Sequence, residues 1–124
     1  MVSIRSEVAG WWRIVDTETW GSNDIDIVGR ALLSLTGHDD RLRMFVLLAY
    51  VEARPTKTGA SFTWRGAWEF DQVSGTGTVR LGRDGRLRGT LKIKGRDGTT
   101  FVAERAEEPD EPIEDPPSYR DKWR

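Results

Sequence analysis

The chain has 124 residues, enough for one domain with a single core, with 37% hydrophobic and 31% charged residues. Its 19 Lys and Arg nearly balance 20 Asp and Glu, so net charge gives no general reason to expect nucleic acid or an anionic membrane as partner. Cysteine is absent, which removes disulfides and thiolate chemistry. No apolar run approaches the ~20 residues of a membrane-spanning helix, and residues 1 to 15 lack the apolar centre of a signal peptide; a cytoplasmic location is the expectation.

In chain order, period-two alternation cut by Gly and turn pairs predicts strands near 10–20, 28–36, 41–54, 60–72, 75–82, 85–95 and 98–106. Short connections between them point to neighbours pairing in sequence order. The expected fold is all-β, a single small antiparallel meander barrel of seven or eight strands over residues 1–106.

The first strand carries Trp11 and Trp12 after Gly10. Asp24 and Asp26 follow Trp20, but the segment lacks the glycine and distal glutamate of a calcium loop, so a turn or cap is expected. His38, the only histidine, sits beside Asp39 and Asp40 in an expected turn, with no serine or cysteine motif to make it a catalytic base. One histidine and no cysteine leave zinc without ligands.

Strand 41–54 reads as apolar on both faces, with Leu42, Met44, Val46, Leu48 and Tyr50 on one and Phe45, Leu47, Ala49 and Val51 on the other. Cover is expected on both, from the tail, the 21–27 segment or another subunit. In strand 60–72, Phe62, Trp64, Trp68 and Phe70 share one face. With Trp12 they are the candidate ligand-binding residues, set to fill the barrel or to leave room for one small apolar ligand. Carboxylate pairs Asp16 with Glu18 and Glu69 with Asp71 read as solvated faces, since nothing places them in a cleft. The glycines of Ser74-Gly75-Thr76-Gly77 lead into a strand and not a helix, which fits close strand contact better than phosphate binding.

Asp84-Gly85 and Asp97-Gly98 are the expected turns of the last two hairpins. From Arg80 to Arg105 eight basic residues face three acidic ones, and from Glu107 the chain becomes acidic and proline-rich. Residues 107–124 are therefore an extended tail, expected to fold back along the ribbon of Arg80, Arg86, Arg88, Lys92 and Lys94.

The start Gly10-Trp11-Trp12, with Arg105 on the last strand, resembles the calycin pattern of lipocalins and fatty-acid-binding proteins. That resemblance implies an indole of the first strand, Trp12, packed on a basic residue of the last, Arg105, a contact worth ~0.5–2 kcal/mol. Trp12-Arg13-Ile14 with Trp20, Phe62-Thr63-Trp64-Arg65-Gly66, Ser74-Gly75-Thr76-Gly77 and Asp84-Gly85-Arg86-Leu87-Arg88-Gly89 also resemble, in order, a group of small bacterial proteins of no assigned activity. The chain departs from that pattern where Ala67-Trp68 intervene before Glu69.

The functional expectation is a non-catalytic module binding a small apolar or aromatic ligand through Trp12, Phe62, Trp64, Trp68 and Phe70, with no catalytic residues, metal or cofactor. The alternative is a protein-interaction or homo-oligomerisation module with a filled core, anchored by strand 41–54 and by Tyr119 and Trp123 of the tail. Neither nucleic acid nor membrane is an expected partner.

Overall fold

A computed structural model describes residues 7–117. Tyr119 and Trp123 lie outside them. Eight strands form a closed antiparallel meander barrel, each paired with its neighbours in sequence and the last closing on the first. They are β1 (Gly10–Thr17), β2 (Leu32–Leu35), β3 (Asp40–Met44), β4 (Leu47–Pro55), β5 (Gly59–Trp68), β6 (Asp71–Leu81), β7 (Leu87–Ile93) and β8 (Arg96–Ala106). Closure brings Trp12 opposite Arg105 and Ile14 opposite Ala103. No helix among the described residues is long and apolar enough to cross a membrane.

The predicted strand 41–54 is two strands. β3 and β4 form a hairpin pairing Met44 with Leu47, so Phe45 and Val46 are the turn and Phe45 takes φ 55°. The turn resets the alternation: Leu42 and Met44 on β3 and Leu47, Ala49 and Val51 on β4 are all buried in the core. The turn leaves Leu48 and Tyr50 half-buried on the outer face of β4, where Pro116 of the tail lies near Tyr50. The 21–27 segment covers the tip of the turn, where the Phe45 N–H donates to the Ile25 carbonyl at 2.8 Å.

Predicted strand 60–72 also breaks early. Trp68 pairs with Asp71, leaving Glu69 and Phe70 as a two-residue turn with Glu69 at φ 55°. In the last hairpin Ile93 pairs with Arg96, so the turn is Lys94-Gly95, with Gly95 at φ 77°, and Asp97-Gly98 lies inside β8. β1 stops at Thr17, short of the predicted residue 20. The Thr17 hydroxyl donates to the Trp20 carbonyl and accepts from the Trp20 N–H, curling the chain back over the barrel end.

The acidic tail does fold back, but onto different cations. Asp115 pairs with Arg41 at 3.0 Å and Glu114 with Arg43 at 3.4 Å, both on β3. Arg86 pairs instead with Glu104, and Arg88 with Asp84 four residues earlier. The choice follows from apolar contact. Ile113 is only 6% exposed, in a crevice shared with Trp11 and Ser34, and Pro116 is buried beside Tyr50 and Gly66. Burying an isoleucine is worth ~1.5–3 kcal/mol, more than either exposed ion pair at ~0–1 kcal/mol, so the apolar plugs set where the tail lies.

Candidate functional site

Two spaces in a barrel can bind: the lumen and the outer wall. Alternation along β5 points Phe62 and Trp64 inward, where each is 3% exposed. Both rings lie across glycines of β6. Phe62 pairs with Gly77 and Trp64 with Gly75, and a Cβ at Gly77 would stand 2.2 Å from the Phe62 ring. Phe101 does the same over Gly89, where a Cβ would stand 2.3 Å from its ring. The glycines of Ser74-Gly75-Thr76-Gly77 thus make room for aromatic rings that occupy the barrel centre.

The end of the barrel near the N-terminus is closed by Trp12 and Arg105. The guanidinium carbon sits 4.1 Å from the Trp12 ring centroid, the indole N–H donates to the Val8 carbonyl at 2.8 Å, and Arg105 also donates to the carbonyls of Glu7 and Ala9. Trp12 is fully buried. The opposite end is roofed by Trp20, Phe45 and Trp68, with ring centroids 5.4 to 5.5 Å apart. Arg96 lies 5.6 Å over Trp68 and pairs with Asp71.

Of the five candidate binding residues, Trp12, Phe62 and Trp64 therefore meet in the core cluster, Trp68 packs half-buried at its rim, and Phe70 stands outside in the β5–β6 turn, 73% exposed. Its apparent place on the inner face came from extending β5 through the turn.

The acid and histidine candidates support turns. Asp40, 3% exposed, accepts from the backbone N–H groups of Thr36 and Gly37, and from the Thr36 hydroxyl. His38 is exposed in that turn. Asp26 accepts from the Ala31 N–H and pairs with Arg13, each at 2.8 Å. Among the described residues no three of His, Cys, Asp and Glu converge to hold a metal ion.

The outer wall is grooved. A groove of about 770 Å³ runs across β3 to β7, with Arg41, Tyr50, Arg65, Thr76, Lys92 and Lys94 among its lining residues. It continues into a second groove of about 610 Å³ bounded by Asp115, Pro116 and Pro117 of the tail. Tyr50, Arg65, Ser74 and Lys94 line both. The Tyr50 ring is approached by Arg41, at 4.4 Å, and by Arg65, at 5.2 Å. Burial opposes the charge on Arg41, yet hydrogen bonds to Asp39 and Asp115 outweigh it and hold its pKa above the usual arginine value. Lys92 and Lys94 point outward and form no ion pair among the described residues.

Sequence reasoning missed this groove because its members come from five strands, and none stands out singly. The signal was the outward half of each alternating strand: Arg41 on β3, Tyr50 on β4, Arg65 on β5, Ser74 and Thr76 on β6, Lys92 on β7. Compared with models of known protein families, with curated protein sequences and with solved structures, the chain matches none.

Proposed function

We propose that the protein is a non-catalytic protein-interaction module whose working surface is the outer wall across β3 to β7, with the aromatic lumen serving as its core. The observation that carries this reading is an open groove on the wall beside a lumen in which aromatic rings are buried. Phe62 and Trp64 lie buried over glycines and aromatic contacts roof both ends, whereas the wall groove, at about 770 Å³, lies in the ordinary size range of binding sites. Polar and aromatic side chains in that groove supply the directional contacts an interface needs.

A photo-crosslinking residue at Thr76, in the groove, is compared with the same residue at Thr19, near the aromatic roof. Crosslinks to another protein from position 76 alone, lost when Arg65 is replaced by Glu, are the expected result. Equal crosslinking from both positions, or a small apolar molecule retained by the purified protein in native mass spectrometry, would overturn the reading.

A further inference from the structure

The wall already holds one ligand, the chain's own tail, and the way it does so says what else the wall accepts. The tail presents Ile113-Glu114-Asp115-Pro116-Pro117. Ile113 and Pro116 are buried, while the two carboxylates between them reach Arg43 and Arg41. Proline keeps such a segment extended before it binds, which lowers the entropy lost on docking.

Past the docked Ile113–Pro117 segment the wall carries more cations. Arg65 on β5, Lys92 on β7 and Lys94 in the turn after it line the groove together with the hydroxyls of Ser74 and Thr76 on β6. None of these three cations has an ion pair among the described residues. At the junction, the Arg41 Nε is buried with no acceptor among the described residues.

We infer that the groove of Arg65, Lys92 and Lys94 takes an extended acidic, proline-containing segment of a partner protein, laid beside the docked tail. This rests on the wall being the working surface. A nucleic acid fits less well: two guanidinium groups already approach the Tyr50 ring, at 4.4 and 5.2 Å, and compete with a base for stacking on it.

The test is fluorescence anisotropy of a labelled peptide with the sequence of residues 107–117, titrated with the full chain. Saturable binding is expected, weakened roughly tenfold by Lys92→Glu with Lys94→Glu and by about the same factor when the peptide carries Glu114→Gln and Asp115→Asn. Both lysines are exposed, so the thermal melt of the variant checks that the barrel is intact. No saturable binding, binding indifferent to the lysine changes, or tighter binding of a labelled oligo-dT would overturn the inference. If the peptide fails while position 76 still crosslinks to a protein, the partner's chemistry is wrong and the wall remains the surface; if both fail, the wall falls too.

Discussion

At Gly77 the backbone passes so close under Phe62 that even a methyl group has nowhere to go. Gly77→Ala is expected to lower stability by ~1–3 kcal/mol through overpacking, and Phe62→Leu in that background to recover part of the loss, both read from urea unfolding midpoints. An unchanged midpoint for the single variant would mean that the ring does not lie over the glycine. Asp84 behaves differently, being fully exposed. Its carboxyl is held well below the usual carboxylate range, chiefly by the Arg88 side chain and then by the Arg86 N–H. A pKa depressed on folding gives stability that is present above the unfolded value and is lost as pH falls through the folded one. Replacing Arg88 by Gln should therefore move the Asp84 carboxyl transition upward in a ¹³C NMR titration and lower stability near neutral pH, by an amount that solvent screening keeps small and that vanishes in acid, where the carboxyl is protonated in both proteins. At this scale much was readable. The alternation of Phe62 and Trp64 put them inside, and the Trp12–Arg105 contact is present where expected. Phe70 was misplaced because nothing in Trp68-Glu69-Phe70-Asp71 announces a turn.

The hairpin turns explain why element boundaries were the harder reading. A tight turn needs positive φ, which Gly, Asn and Asp adopt cheaply, and Asp97-Gly98 looked the part while Phe45 and Glu69 did not. Yet both take φ 55°. Left-handed conformation costs a side chain ~1–2 kcal/mol, so something must offset it. For Phe45 the compensation is visible in its stacking on Trp20 and its contact with Trp68. Glu69 is exposed and shows none of comparable size. Glu69→Gly is thus expected to stabilise by about 1 kcal/mol, and Phe45→Gly to destabilise, because the half-buried ring forfeits both its apolar contact and its packing on Trp20 and Trp68. Thermal melts of the two variants moving in the same direction would contradict this. The tail divides in the same way between apolar and charged contributions. Ile113→Asp should release residues 107–117 at any salt concentration, whereas Glu114→Gln with Asp115→Asn should leave them docked, as measured by NMR relaxation of the tail amides. Release by the charge changes alone would reverse the order of forces. That the tail would turn back was readable from charge, but where it lands depended on Ile113 and Pro116, two residues that a count of carboxylates passes over.

For the whole molecule, the barrel builds its core with rings over glycines and carries an open polar groove on its outer wall. Meander topology was readable because, from β2 onward, each strand is followed by its neighbour after a short connection. The wall groove was not, because Arg41, Tyr50, Arg65, Thr76 and Lys92 are spread over five strands and come together only through the registers that pair Arg41 with Tyr50, Tyr50 with Arg65 and Thr76 with Lys92. The measurement that separates wall from lumen most directly is a pair of ¹⁵N NMR titrations of the full chain, one with a small apolar probe such as naphthalene and one with the acidic peptide of residues 107–117. The account predicts that the peptide shifts the amides of Ser74, Thr76 and Lys92, while the indole N–H signals of Trp12 and Trp64 stay in place with either addition. Indole signals that move and saturate with naphthalene, with the wall amides unmoved by the peptide, would put the binding site in the lumen and contradict it.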